Sequence, residues 1–328
     1  MYGCVPGADE FVKEKSGIGV GLGNFDGVHL GHAALITALN EKCREFNIPS
    51  LIYTFANHPD NVLFTDKPTQ LIVTNAKKAS IMKEKGVDGI YFERFNCKYA
   101  SMSAEDFVRI ILRDRLGAGL VVIGHNYSFG EKGAGSPELL RKLGKKYGFE
   151  TIIIPPVKVN NTVVSSTLLR SVIGSGEVEK YPVYTGRRYS LPGVVEHGRH
   201  VGQSLGFPTA NILPQDGFAL PASGVYITET LIGGVLYSGI TNIGDNPTFD
   251  LKRTTVETHL FNYGEDLYGQ SIEVFFIKKL RGEVKFQSSE ALMAQVRRDI
   301  SAAVNYFSDR PRDYSAEAAK EKGFEKNC

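Results

Sequence analysis

From residue 18 to about residue 175, short runs of β-branched and apolar residues alternate with longer stretches whose apolar positions recur at helical spacing, the sequence form of repeated β-α-β units. The runs "IGVGLG", "LIYTF" at 51–55, "GIYF" at 89–92, "LVVIG" at 120–124 and "TIIIPP" at 151–156 predict strands. Helices are predicted near 30–46, 75–85, 103–115 and 136–147, the third with Ser103 as its cap and acidic residues in its first turn. Strands and helices in that order predict an α/β domain with a parallel sheet.

After residue 180 the pattern changes. Helical spacing vanishes until about residue 286, and alternating, glycine-punctuated runs take its place. "GVYITETLIGGVLYSGITNIG" predicts two strands joined at Gly233-Gly234, a pair that tolerates the positive φ of a tight hairpin. With "VETHLF" and "SIEVFFIKKL" these runs predict a small β-barrel. A closing helix follows, with Leu292, Val296, Ile300 and Val304 recurring every four residues on one predicted face. The change falls near "EKYPVYTGRR", which divides the chain into domains at 1–182 and 183–308 and a polar tail at 309–328.

Composition narrows the class of protein. A chain of 328 residues is long enough for two cores, and 42% hydrophobic with 23% charged residues is ordinary for a globular protein. Lys and Arg number 38 against 36 Asp and Glu, so no global field directs the chain to nucleic acid or a membrane surface. Cys4, Cys43, Cys97 and Cys328 lack the spacing of a zinc knuckle or redox pair and read as free thiols. The first residues do not read as a secretory signal and no apolar run approaches a membrane span, so a cytoplasmic location is expected.

Two stretches of the first domain carry candidate chemistry. In "GNFDGVHLGH", glycines allow close backbone approach, and the helix that follows offers unpaired N–H groups and the positive end of its dipole, an anion site. His29 and His32 are three residues apart, so both can donate to one polyphosphate; a capping histidine beside a packed one explains the same pair. No third residue has the spacing of a metal ligand. In "VVSSTLLRSVIGSGE", Ser165, Ser166 and Thr167 open a second helix with Arg170 one turn on. A guanidinium there opposes the dipole unless an anion balances it, whereas a plain serine cap needs no ligand.

The histidine string resembles the HxGH signature of nucleotidyltransferases, whose sheet is Rossmann-like, and "SSTLLR" resembles their second phosphate-binding signature. Together with "FANHPDNVLF", "SAEDFV" and "GHNYSFGEKGAG", the string is similar, over about residues 18–180, to the adenylyltransferase module of bacterial FAD synthetases. The resemblance implies that FMN phosphate attacks the α-phosphorus of ATP. His29 and His32 would stabilise charge on the triphosphate, and Ser165, Ser166, Thr167 and Arg170 would hold the β- and γ-phosphates. Asn24, Phe25, Asp26 and Gly31 would form the nucleotide loop, with His58 and Asn126 on the flavin side. Relatives often have Asp-Phe-Arg where Asn126-Tyr127-Ser128 stands here, and Pro in place of Asn57.

In the second domain, "GVVEHGRHVGQSLGFPTANI" reads as a glycine-rich flap. On a strand, Thr209 and Asn211 would point to one side and offer oxygens suited to magnesium, although a structural turn accounts for the same residues. With "GVY", "TNIGDNPTF", "VETHLF", "DLYG" and "LRGEVKF", the ordered set resembles riboflavin kinase, a six-stranded barrel, over about residues 183–305. The resemblance implies Thr209 and Asn211 at a Mg²⁺-ATP site, Gly198 and Gly202 in the flap near its phosphates, Glu257 as the base for the riboflavin hydroxyl, and Arg281 beside the flavin. Relatives commonly carry Arg in place of Gln203.

The two resemblances together imply a bifunctional riboflavin kinase/FAD synthetase using ATP and Mg²⁺, with riboflavin, FMN and FAD as its ligands and no nucleic-acid or membrane partner. A member with one active domain, or a nucleotidyltransferase for another phosphorylated acceptor, are the competing expectations. A flavin-binding regulator or an RNA-binding barrel comes from a different class; RNA binding wants exposed aromatics among basic residues, and only "SIEVFFIKKLR" offers them. Oligomeric state is not readable.

Overall fold

The computed structural model describes residues 17–66, 68–197, 206–214, 217–248 and 251–309. The chain folds into two compact units that divide between Leu169 and Arg170.

The first unit is built on a five-stranded parallel sheet of β1 (Ile18–Leu22), β2 (Ser50–Phe55), β3 (Gly89–Glu93), β4 (Ala118–Gly124) and β5 (Glu150–Ile154), in the order β3-β2-β1-β4-β5. Its principal helices are α1 (Leu30–Glu45), α2 (Asn75–Glu84), α3 and α4 (Pro137–Tyr147). Helix α3 starts as Ala104–Asp106, capped by Ser103, and continues as a wide-turn π-helix over Phe107–Arg115. All the strands read from the alternating pattern are present, and so are the four helices.

The glycines of β1 have a packing cause. Ile18, Val20 and Leu22 face the core formed with Phe107, Leu112 and Leu140, whereas Leu35, Leu39 and Cys43 of α1 belong to the core on the other face. Gly19 and Gly21 let α1 lie close to the sheet: a Cβ at Gly19 would stand 2.1 Å from Cys43 Sγ. Cys43 is a buried free thiol and Cys97 an exposed one; Cys4 and Cys328 lie outside the described residues. After β5 come a small hairpin, β6 (Lys158–Val159) with β7 (Thr162–Val163), and helix α5 (Ser166–Ser175), which crosses the division between the units.

The second unit is a closed antiparallel barrel of β8 (Tyr189–Glu196), β9 (Ala210–Ile212), β10 (Gly224–Ile232), β11 (Val235–Thr248), β12 (Leu251–Leu260) and β13 (Ser271–Arg281), ordered β10-β11-β12-β9-β8-β13. Gly233 and Gly234 form the predicted hairpin turn, at φ 54° and 81°. Strand alternation separates two faces. Inside, the hydroxyls of Thr228, Thr241 and Thr258 link in a buried chain with spacings of 2.8 and 2.9 Å. Outside, Val225, Ile227 and Ile240 pack with Ala303 of the closing helix α6 (Ser289–Ser308).

Helix α6 meets the barrel over part of the predicted stripe: Ile300 packs against it and Leu292 and Val296 are half-buried, but the face has turned by the end of the helix. Val304 is 43% exposed, while Asp299 and Ala303 are buried. Steps of four residues drift round a helix of 3.6 residues per turn, so a face drawn through Leu292 has rotated off the barrel by Val304. The buried Asp299 is matched by Arg281, whose guanidinium gives it contacts of 2.9 to 3.2 Å, and by Gln295 Nε2 at 2.8 Å.

Candidate active site

In the first unit the candidate residues gather beyond the carboxyl ends of the strands. Asn24, Phe25 and Asp26 follow β1, His58 follows β2, Asn126 follows β4, and Ser165, Ser166 and Thr167 follow β5 and its hairpin. The sheet order reverses at β1, and a crevice beside such a switch point is where open α/β sheets bind ligands.

The loop after β1 is strained and held from behind. Phe25 and Val28 take φ values of 49° and 33°, costly for these side chains, and Gly27 sits at 78°. The Asn24 carbonyl accepts from Thr54 Oγ1 and from Lys78 Nζ, both at 3.0 Å. The buried Asp26 carboxylate accepts from the N–H groups of Ile72 (3.0 Å) and Val73 (3.4 Å), and the Asp26 carbonyl accepts from Ser166 Oγ at 2.8 Å. Asp26 and Ser166 thus shape the loop through bonds within the protein.

His29 caps α1. Its Nδ1 accepts the His32 N–H at 3.3 Å, and the two rings stack with centroids 3.6 Å apart. Gly31 makes room for this arrangement, because a Cβ there would lie 3.0 Å from His29 Cε1. Both readings of the pair therefore meet in one geometry: one histidine is the cap, and the stacked pair stands at the positive end of the helix. Ser165 accepts the Leu168 N–H at 3.2 Å and so caps α5, while Thr167 is exposed and Arg170 half-buried one turn on.

On the flavin side of the resemblance, His58 Nδ1 accepts the Asp60 N–H at 3.2 Å, and Asn126 is exposed in the turn after β4. Asn57 bonds both backbone groups of Phe95, each at 3.0 Å, a bracing that Pro could not supply. A pocket in this unit is lined by Asn24, Asp26, Asn57, His58, Asn75 and Lys78 together with apolar neighbours. Lys78 is absent from the sequence-derived site. It is only 4% exposed, and burial pushes its amine down to about 8, with Asp26 partly opposing the shift.

In the barrel, strand register places Asn242, Glu257, Asn211 and Glu196 opposite one another across β11, β12, β9 and β8. Glu257 neighbours the inward Thr258, so this row lies on the outer wall. Thr209 immediately precedes β9, and Asn211 Nδ2 turns back toward the Thr209 carbonyl at 3.5 Å. His259 Nδ1 stands 2.9 Å from the Pro208 carbonyl; a carbonyl only accepts, so this nitrogen carries the proton. His259 also lines a cleft of about 920 Å³ with Ser238, Phe261, Tyr263, Ile300 and Phe307. Arg281 is engaged by Asp299, and Gly198 and Gly202 lie outside the described residues. Among the described residues no group of three or more His, Cys, Asp or Glu could hold a metal ion.

Comparison with known proteins divides the chain in the same two parts. A family model for FAD synthetase matches residues 12–168, and one for riboflavin kinase matches residues 185–307. The bifunctional riboflavin kinase/FMN adenylyltransferase of Escherichia coli (strain K12) is 34% identical over 287 residues, covering 87% of this chain and 91% of that protein. The protein of the same description from Bacillus subtilis (strain 168) is 32% identical over 308 residues, 91% of this chain and 95% of its own. A solved structure described as a macrolide-efflux protein from Streptococcus pneumoniae superposes with a TM-score of 0.82 at 29% identity, covering 90% of this chain and 97% of that one.

Proposed function

The chain belongs to the family of bifunctional riboflavin kinases/FMN adenylyltransferases, and from that premise we propose which of its residues carry each reaction. It has both a riboflavin kinase domain and an FAD synthetase domain, each using ATP as co-substrate. The efflux activity named for the Streptococcus pneumoniae structure is a statement about that protein. Among the described residues of this chain no helix is long and apolar enough to cross a membrane.

In the barrel, Glu257 takes the proton of the riboflavin 5′-hydroxyl as its oxygen attacks the γ-phosphorus of ATP, giving FMN and ADP. The observation that carries this reading is the outer row in which Glu257 faces Asn211 and Asn242. Two residues further along the same strand face, His259 begins the cleft of about 920 Å³, whose apolar lining suits a flavin ring. Thr209 and Asn211 suit Mg²⁺ held chiefly by ATP: a hydroxyl and an amide oxygen are hard neutral donors, and the Asn211 NH₂ already turns to Thr209, leaving Oδ1 to the ion. Bound there, Mg²⁺ would neutralise phosphate charge. Gly198 and Gly202 would contact the phosphates, and Arg281 would support the flavin edge from its pairing with Asp299.

In the first unit the nucleophile, the FMN phosphate, arrives already charged and needs no base. Its oxygen attacks the α-phosphorus of ATP and pyrophosphate leaves. His29, His32 and the α1 N–H groups stabilise the charge, Asn24, Phe25 and Asp26 shape the nucleotide loop, Gly31 at the start of α1 leaves room for the phosphates, and Ser165, Ser166, Thr167 and Arg170 receive the departing phosphates. His58 and Asn126 contact the flavin. Domain limits at 1–182 and 183–308, and a cytoplasmic location where ATP is supplied, complete the reading. Purified protein incubated with riboflavin and ATP, with and without Mg²⁺, should yield FMN and then FAD only with the metal; chromatography of the three flavins tests this, and metal-independent turnover would contradict the Thr209/Asn211 assignment.

A further inference from the structure

Lys78 is a charged residue in a place that favours none. It lies on α2 with 4% of its surface exposed, and its Nζ bonds the Asn24 carbonyl at 3.0 Å. The Phe92 ring is 5.9 Å away. An ammonium has three donors, and the other two have no partner among the described residues. Burying such a group opposes folding, so it is informative where it sits: in the pocket that also contains Asn24, Asp26 and His58.

We propose that Lys78 is a positioning residue for FMN adenylylation, its ammonium holding the Asn24 carbonyl and offsetting the Asp26 carboxylate so that the strained loop keeps the shape in which α1 receives the triphosphate. The inference rests on the reading of residues 23–32 as the nucleotide loop. Asn24 is gripped from two elements at once, by Thr54 of β2 and Lys78 of α2, and the loop between Gly23 and His29 contains two non-glycine residues at positive φ, Phe25 and Val28. A neutral side chain would leave Thr54 as the sole side-chain donor to that carbonyl among the described residues, while the Asp26 carboxylate would keep the N–H groups of Ile72 and Val73.

The test uses the full-length enzyme and Lys78→Met, which keeps the stem and removes the charge. FAD formation from FMN should show kcat reduced about tenfold or more with KM for FMN changed by less than about threefold, while riboflavin phosphorylation stays within about twofold of wild type. The melting temperature at neutral pH should hold or rise, because a buried charge is gone. Adenylylation within about twofold of wild type, or a loss accompanied by a lowered melting temperature, would overturn the proposal. His32→Ala measured alongside separates the two levels: if it is inactive while Lys78→Met is not, the loop reading stands and the role of Lys78 falls; if both are active, the loop reading itself fails.

Discussion

Glu257 and Asn211 face each other across the β12–β9 pair, and Asn242 faces Glu257 from the other side. Side chains opposite one another in a ladder share a face, so a carboxylate and two amides stand in one row on the barrel's outer wall. A hydroxyl of low acidity needs a base before it can attack phosphorus. Glu257→Gln keeps the shape and cannot take the proton, so riboflavin phosphorylation should fall about 10²- to 10⁴-fold with little change in substrate binding. Steady-state kinetics with riboflavin checks this; near-normal FMN production would remove Glu257 as the base.

His29 and His32 separate by their local roles. His29 is the cap of α1 through Nδ1, whereas His32 contributes its backbone N–H to that bond and its ring to the stack and to a contact with Phe25. His32→Ala should therefore lower FAD formation about 10²- to 10³-fold with little loss of stability. His29→Ala should lower FAD formation too, and should in addition cost about 1 kcal/mol of stability. Equal melting temperatures for the two variants would argue against the capping role.

Lys78 gives the pH dependence a definite sign. Its amine has an ordinary value of 10.5 and is pushed down to about 8 in the folded protein, mainly by burial. Between those values the unfolded chain holds the proton that the folded chain has released, so stability rises with pH; below about 8 the full penalty is present. The stability gain of Lys78→Met over wild type should thus be greatest at neutral pH and shrink by up to about 3 kcal/mol toward pH 10.5. Urea unfolding of both proteins at several pH values measures the gap, and a gap that widens with pH would contradict the burial argument.

The division of the chain near residue 180 can be tested on fragments. Val178 and Tyr181 are buried, and the Tyr181 ring packs edge-on against Tyr189 of β8 with centroids 5.3 Å apart. A fragment of residues 183–328 lacks both side chains, while one of residues 170–328 keeps them. Both should phosphorylate riboflavin without forming FAD, but the shorter should be less stable by about 3 kcal/mol. Thermal unfolding followed by circular dichroism compares them, and identical melting temperatures would show that the segment before Val183 contributes nothing to the barrel.

Much of this was legible because it depends on local pattern. The short, nearly continuous apolar runs "LIYTF" and "LVVIG" mark strands buried on both faces, and the glycines around His29 mark the helix start that the structure shows. What escaped depends on residues distant in sequence. Lys78 sits beside Lys77 on a helix and reads as solvated; its burial follows from a carbonyl at Asn24, 54 residues away. Asn57 reads as a departure from Pro until its bonds to Phe95 are seen. Asp299 looks like a surface charge, yet it lies on the buried face of α6, paired with Arg281 of β13. Ser165 and Ser166 are indistinguishable as neighbours, and only tertiary structure makes one a cap and the other a tie to Asp26.

The most direct test of two separate chemistries in one chain is complementation between Glu257→Gln and His32→Ala, each supplied with riboflavin, ATP and Mg²⁺, with the flavins separated by chromatography. Alone, Glu257→Gln should leave riboflavin unconverted, and His32→Ala should accumulate FMN. Mixed, they should make FAD, because FMN released by one barrel is adenylylated by the intact loop of the other protein. Failure of the mixture to form FAD, while Glu257→Gln still fails to convert FMN supplied directly, would contradict the assignment of the two reactions to two independent sites.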